Sequence, residues 1–323
     1  MNQTFDSANP PLMSWQRGLH IYAGSLGEKL QSPFKRHPKP SDAILLAGSG
    51  RSGTTWLAEL LVAKSNIQMI FEPENPSWTK EIRPLTGWGP SLRVRSFYLQ
   101  SRVQNVEWFS FWQNVFTGHI RNKFTDQIRT SFFPNGYLVK MIRANLMLGY
   151  IYNNFQPKVV YTIRHPCAVI TSRMALKWVA DVKDILTQEE LVEDHLRPWL
   201  GQIEKEKDQL GAQAVWWAVE NMVAMKSLAE IPHIKVTFES LCLQPEMEVN
   251  RLRNELGIDI PKNLEPVISR PSQTSFQKHS HTSTIKRLSQ WKSKLDSNSQ
   301  KKILNWAHRL GIETYNDSLL PVL

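Results

Sequence analysis

Several features that would define a class of protein are missing from this 323-residue chain. Its two cysteines, Cys167 and Cys242, make neither a disulfide framework nor a metal-ligand spacing. No run approaches the roughly 18–20 apolar residues that a membrane-spanning helix requires. The N-terminus lacks the basic and apolar segments of a signal peptide, and no nucleic-acid-binding motif is present. We therefore expect a cytoplasmic protein with no membrane span, no metal and no nucleic-acid partner.

The composition favours a basic globular protein. Lysine and arginine number 39 against 29 acidic residues, which gives a formal charge of +10 and a pI near 9.6. Such a charge favours anionic partners such as nucleotides or sulfated and carboxylated glycans. Residues 1–40 are polar and contain several prolines, which predicts an irregular N-terminal arm. The chain is long enough to bury a full core, and its length suits one α/β domain with insertions as well as two domains. We assign residues 41–323 to one domain.

A glycine-rich turn is the first functional signal. Residues 43–47 are small or apolar, as in a buried strand, and a helical pattern begins at Thr54. Between them, residues 48–53 carry three glycines, so that backbone N–H groups and a helix N-terminus converge on one anion site. The glycine spacing and Thr55 match the nucleotide-binding pattern G-x-x-x-x-G-K-[ST], but threonine replaces its lysine and the nearby cation is Arg51. This difference argues against phosphoryl transfer.

Alternating strand and helix patterns predict the fold class. Further strands are expected at 67–71, 137–142, 158–163 and 234–238. Helices are expected from Pro166, over 176–228, from 239 to about 256 and at 297–310. This order predicts an α/β protein of three layers and P-loop type, with a central parallel sheet of four or five strands flanked by helices.

Two motifs in this order resemble those of sulfotransferases that use 3′-phosphoadenosine 5′-phosphosulfate (PAPS). Arg-Ser-Gly-Thr-Thr-Trp at 51–56 is similar to the family's 5′-phosphosulfate loop, and the strand that ends at Arg164, with Ser172 eight residues later, is similar to its 3′-phosphate motif. The resemblance implies that PAPS is the co-substrate and that no metal is needed. The donor-binding residues that it implies in these two motifs are Arg51, Ser52, Gly53, Thr54, Thr55, Trp56, Arg164 and Ser172.

The C-terminal part adds further donor-site candidates through the same resemblance. Thr274 and Phe276 lie in a Thr-Ser-Phe segment similar to one that contacts adenine in cytosolic members of the family. Lys286 and Arg287 are the candidates for the basic pair that reaches the 3′-phosphate. The usual Arg-Lys-Gly signature is absent here, and a basic helix face is the alternative interpretation.

Glu72 is the candidate catalytic base. It follows the predicted strand at 67–71, and open α/β sheets place their chemistry at carboxyl ends of strands. Carbohydrate and tyrosyl-protein sulfotransferases have a glutamate in this neighbourhood, and Phe-Glu-Pro resembles the carbohydrate branch; Glu74 is the alternative. Arg51 and Lys140 are the other two catalytic candidates. Lys140 could reach the transferring sulfonate, or it could instead snorkel or pair with an acid. Cytosolic small-molecule members have a histidine where this chain has Ile142, and isoleucine cannot accept a proton.

Residues 77–135 are rich in tryptophan, phenylalanine and arginine, which suits a sugar or anionic glycan. We predict that this insertion contains the acceptor site, although most of its aromatic residues individually belong to the core. The resulting hypothesis is sulfonate transfer from PAPS to an acceptor hydroxyl, with a carbohydrate as the favoured acceptor. The alternatives are a P-loop kinase-like phosphotransferase and a non-catalytic protein of the same fold that binds a nucleotide or glycan.

Overall fold

Five parallel strands form the centre of the molecule. The computed structural model describes residues 38–87, 96–128, 134–259, 263, 265–269 and 284–322. The strands are β1 (Ile44–Ala47), β2 (Ile67–Phe71), β3 (Gly136–Met141), β4 (Lys158–Ile163) and β5 (His233–Thr237). The sheet order is β2-β3-β1-β4-β5, and every neighbouring pair is parallel. The predicted α/β class and strand number are confirmed.

The strands are apolar throughout because both faces of the sheet are covered. Successive side chains of a strand point to opposite faces. Leu45 and Ala47 therefore pack in one core cluster, whereas Ile44 and Leu46 pack in the other. All four side chains are almost completely buried. Helices complete both clusters, which gives the predicted three layers.

The helices range from one turn to 20 residues in length. They are α1 (Thr54–Val62), α2 (Arg83–Thr86), α3 (Val106–Phe116), α4 (Leu148–Phe155), α5 (Pro166–Ala175), α6 (Lys183–Leu186), α7 (Glu189–Leu191), α8 (Leu200–Ile203), α9 (Gln209–Leu228), α10 (Phe238–Leu243), α11 (Pro245–Leu256), α12 (Glu265–Ile268), α13 (Thr284–Ser289) and α14 (Ser297–Arg309). The core cluster that contains Leu45 includes residues of α3, α4, α5, α9 and α14, and the cluster that contains Ile44 includes residues of α1 and α11.

Two predicted elements need correction. The helix expected over 239–256 is two helices, because Gln244 leaves the helical conformation and Pro245 begins a new first turn. The strand expected to reach residue 238 ends at Thr237, whose side chain accepts a hydrogen bond from the backbone N–H of Ser240 and so caps α10. Phe238 is consequently the first residue of a helix at the carboxyl end of β5.

The region 176–228 is helical only in part. Short helical pieces, including a π-helical turn at Val192–Leu196, precede the 20-residue helix α9. That helix begins where the Asp208 carboxylate accepts a hydrogen bond from the backbone N–H of Gly211 at 2.7 Å. Among the described residues, no helix combines the length and apolar character needed to cross a bilayer.

Candidate functional site

The glycine turn lies at the carboxyl end of β1, the middle strand of the sheet. A Cβ atom at Gly48 would lie 2.3 Å from the carbonyl oxygen of Thr162, so only glycine fits between β1 and β4. Gly53 has φ = 85° and packs against the Phe238 ring, 2.3 Å from the position that a Cβ would take. Arg51 also has a positive φ, 79°. Such strain in a non-glycine residue is characteristic of functional loops.

Arg51 connects the two motifs that the sequence separates by more than 100 residues. Its Nε–H donates to Ser172 Oγ at 3.0 Å, and Arg164 Nη1 donates to the Arg51 carbonyl oxygen at 3.0 Å. Burial and the charges of Arg164 and Arg173 lower the pKa of Arg51 to about 10, so it stays cationic at neutral pH. The candidate 5′ and 3′ anion-binding elements therefore meet at one edge of the sheet.

Aromatic rings adjoin this arginine cluster. The Trp56 and Phe238 rings meet edge to face with centroids 6.3 Å apart. The Arg164 guanidinium lies 4.2 Å from the centre of the Phe238 ring, and that of Arg287 lies 5.9 Å from the centre of the Trp56 ring. Of the two residues in the predicted basic pair, Arg287 thus lies beside the donor-site candidates. Lys286 is exposed on the same short helix, α13.

Phe238 was not predicted as a site residue. Its position next to Gly53 and Arg164 depends on where β5 ends, which the apolar pattern places one residue too late. The available signal was the Phe-Glu pair at the end of a predicted strand, since strand ends position ligand contacts in parallel sheets.

Unsatisfied polar atoms test whether the cluster suits a phosphorylated nucleotide. Ser52 Oγ, Arg164 Nε and Arg287 Nε are buried and have no hydrogen-bond partner among the described residues. Buried polar groups are normally hydrogen-bonded, so these three atoms have hydrogen-bonding capacity available for a polar ligand. Thr54 and Thr55 are buried in the first turn of α1, where backbone N–H groups have no intrahelical partner. These groups fit an anionic ligand with phosphate at both ends.

Glu72 is held in a strained position at the carboxyl end of β2. Its φ is 41°, and only 8% of the surface of Glu72 is exposed. Lys140 Nζ donates to Oε1 at 2.5 Å, and Arg143 Nη1 donates to Oε2 at 3.3 Å. Burial opposes the charge of this carboxylate, but the two cations outweigh that effect and hold the pKa of Glu72 below its ordinary value. Glu72 is therefore ionised at neutral pH, and its charge acts in turn on Arg51. Of the possibilities considered for Lys140, pairing with an acid is the one that the structure contains.

Glu74 behaves differently although it lies two residues away. Its Oε1 accepts hydrogen bonds from the backbone N–H groups of Ile142 and Arg143, at 2.9 and 3.2 Å. Its Oε2 is buried with no partner among the described residues. Burial and the charge of Glu72 raise the pKa of Glu74 to about 7. The two carboxyl groups therefore differ in protonation near neutral pH.

Two aromatic residues of the predicted acceptor insertion, 77–135, form a chain of ring contacts that leads to Phe71, the residue before Glu72. Trp78, which is 36% exposed, stacks on Phe124 at 4.7 Å. Phe124 meets Phe71 edge to face at 5.5 Å, and Lys140 Nζ lies 4.2 Å from the centre of the Phe71 ring. Other aromatic residues of the insertion, such as Trp112, are core residues, as expected. A separate open cleft of about 380 Å³ lies in the same insertion and contains none of the predicted site residues.

Thr274, Phe276 and residues 1–37 of the N-terminal arm lie outside the described residues. Within the described part of the chain, no group of three or more histidine, cysteine or acidic residues could hold a metal ion.

Comparison with protein families identifies the chain. The model of the family described as "Sulfotransferase family" matches residues 43–262, which is about two thirds of the sequence and includes both motifs. The chain belongs to the sulfotransferase family. No curated protein matches this sulfotransferase-family chain significantly.

Solved structures similar to this sulfotransferase-family chain include two sulfotransferase domains. The domain of the Synechococcus PCC 7002 olefin synthase is 15% identical, covers 89% of this chain and 99% of its own, and has a TM-score of 0.47. The domain of the curacin biosynthetic pathway is 17% identical, with coverage of 86% and 99% and a TM-score of 0.49. Retinol dehydratase, solved with androsterone and the inactive cofactor PAP, is 13% identical, with coverage of 85% and 82% and a TM-score of 0.37.

Proposed function

We propose that this protein transfers a sulfonate group from PAPS to an acceptor hydroxyl. The observation that carries the proposal is the contact of the two anion-binding motifs through Arg51. Its side chain reaches Ser172, and Arg164 binds its backbone carbonyl. One doubly phosphorylated nucleotide can thus engage both motifs. The 3′-phosphate distinguishes PAPS from ATP, and the Arg164–Ser172 element is its candidate binding site.

Donor binding is assigned to the glycine loop and the groups around it. Arg51 and the backbone N–H groups of 52–55 would hold the 5′ end, whereas Arg164, Ser172 and Arg287 would hold the 3′-phosphate. Trp56 and Phe238 present aromatic rings for the adenine. When bound, PAPS supplies the sulfonate and leaves as 3′-phosphoadenosine 5′-phosphate (PAP). Preorganised donors such as Arg51 typically contribute about 3–4 kcal/mol each by stabilising charge that develops on a leaving oxygen.

Acceptor activation is assigned to Glu72. It is ionised at neutral pH, as a group that takes the acceptor's proton must be. Lys140 and Arg143 fix both of its oxygens in place. Lys140 is further proposed to support the transferring group, since it lies on the strand next to the one that ends in the glycine loop.

A carbohydrate is the proposed acceptor class. The Phe-Glu-Pro segment at 71–73 supports it, as does the partly exposed Trp78 ring, because sugars bind to aromatic faces. A cytoplasmic location is also a proposal that follows from the sequence.

The test is transfer of ³⁵S-labelled sulfonate to panels of glycans, phenols and other hydroxyl compounds, together with calorimetric titration of PAP. Glu72→Gln should lower the transfer rate on the order of 10²–10⁴-fold while PAP binding persists. Glu230→Gln is the matched control, since Glu230 is exposed in the turn just after α9 and belongs to no predicted site. An undiminished rate in Glu72→Gln would refute the base assignment.

Measurements of ATP turnover, PAP binding and sulfonate transfer on the parent protein distinguish the two alternative functions. Magnesium-dependent ATP turnover without PAP binding would favour a kinase-like phosphotransferase. Binding of PAP without transfer to any acceptor class would favour a non-catalytic binding protein.

A further inference from the structure

A buried polar network joins the glycine loop to α9. Ser49, the second residue of the loop, is completely buried, and its hydroxyl donates to Glu220 Oε2 at 2.9 Å. The same hydroxyl oxygen accepts hydrogen bonds from the side-chain amides of Asn145, at 3.2 Å, and Asn221, at 3.0 Å. Glu220 and Asn221 both belong to α9, more than 170 residues further along the chain. The loop is therefore anchored to a helix that contains no predicted site residue.

Arg173 extends the network to the second anion-binding motif. Its Nη2 donates to the same Glu220 oxygen at 3.0 Å, and its Nε–H donates to the carbonyl oxygen of Gly50 at 3.2 Å. The residue before it, Ser172, is the one that Arg51 contacts. Consecutive residues of α5 thus face in two directions, Ser172 toward the candidate donor site and Arg173 toward the interior.

This network contributes more to the relative position of the glycine loop and α5 than to the stability of the fold. Glu220 is 6% exposed and Arg173 is 4% exposed, so both charges have lost most of their hydration. A buried ion pair often stabilises a fold no more than an apolar pair of equal size does. The pair here also fixes the position of the loop relative to α5, because one carboxylate oxygen of Glu220 accepts hydrogen bonds from both. Changing that oxygen therefore alters how the two anion-binding motifs are placed relative to each other.

We infer that Glu220 is a positioning residue for donor binding: it holds Ser49 of the glycine loop and, through Arg173, the helix that carries Ser172. The inference rests on the proposed function, since it assumes that the loop and Ser172 bind one nucleotide. It makes α9 part of the donor-binding machinery although no residue of α9 needs to touch the nucleotide.

The test is the affinity for PAP, measured by calorimetry well below the melting temperature, in the parent, Glu220→Gln and Glu230→Gln. Positioning predicts at least tenfold weaker PAP binding in Glu220→Gln, because the charge-assisted hydrogen bonds to Arg173 and Ser49 are weakened. Electrostatics alone predicts the opposite sign, because removal of a negative charge favours an anionic ligand. The surface control Glu230→Gln makes the same chemical and charge change and should bind PAP as the parent does.

Ser49→Ala provides a milder second variant in case Glu220→Gln does not fold. It removes only the inward hydroxyl, and it should also weaken PAP binding while its unfolding in urea remains cooperative. Equal or tighter PAP binding in folded variants would overturn the inference and leave the proposed function intact. A parent protein that does not bind PAP would overturn both.

Discussion

Protonation of His165 should destabilise the folded protein. This residue follows Arg164 and caps α5, where its Nδ1 accepts a hydrogen bond from the backbone N–H of Cys167 at 3.2 Å. Its Nε2 lies 2.9 Å from the carbonyl oxygen of Asn316, so Nε2 carries the single proton. The ring is buried and stacks on Trp291 at 4.3 Å. A second proton, on Nδ1, would remove the acceptor that caps the helix.

The size of the effect follows from the pKa. Burial, together with the charge of Arg164, lowers the pKa of His165 from 6.5 to about 4, although its hydrogen bond to Asn316 acts in the opposite direction. Between those values the unfolded chain binds more protons than the folded one. Stability from this residue is therefore complete above pH 6.5 and is lost as the pH falls to 4. Since one pH unit is worth about 1.4 kcal/mol, the loss should be about 3 kcal/mol.

Urea unfolding from pH 4 to 7.5 measures this loss in the parent and in His165→Asn. Asparagine keeps an acceptor suitable for a helix N-cap but has no proton to gain in this range. The difference between the two free energies of unfolding isolates His165 from other titrating groups. His233→Asn is the control, since His233 is exposed at the start of β5. Parallel curves for the parent and His165→Asn would refute the reasoning.

Three further predictions concern the site itself. Glu74→Gln should remove a contribution to the free energy of unfolding whose pH dependence has the opposite sign to that of His165. The pKa of Glu74 is raised to about 7, so its contribution is complete below pH 4.5 and is lost as the pH rises through 7. Urea unfolding over that range checks this, and a parent curve parallel to that of the variant would contradict it. Arg164→Ala should weaken PAP binding far more than acceptor binding, as measured by calorimetry and by acceptor KM; an equal loss of both would indicate misfolding instead. Gly53→Ala should cost about 1–3 kcal/mol in the free energy of unfolding and weaken PAP binding, because φ is 85° and the Phe238 ring occupies the place of a Cβ. Unchanged unfolding in urea would contradict that prediction.

The sequence predicts site residues best where a charged residue closely follows the carboxyl end of a strand. Arg51, Glu72 and Arg164 each follow directly from a strand or from its first turn, and the parallel sheet brings the ends of its strands to one edge. An apolar run that ends in a polar or charged residue is visible in a single sequence. The strand order itself is not visible in this way, since β1 and β2, like β3 and β4, are not neighbours in the sheet; the carboxyl ends nevertheless share one edge because all five strands are parallel. These three residues could therefore be placed near one another before the structure was known.

Residues that act through tertiary contacts leave no comparable pattern. In α9, most of the residues that flank Glu220 are apolar. Its hydrogen-bond partner Ser49 is 171 positions away in the sequence. Within α9 alone, a buried glutamate cannot be distinguished from an exposed one until the opposing surface is known. Arg143 is similar, because its contact with Glu72 requires β2 and β3 to be adjacent in the sheet. The functional consequence is that the groups that set the charge and position of the candidate catalytic residues come from neighbouring strands and a distant helix. Local motifs identify the ligand-facing residues, but the folded chain determines how those residues are held.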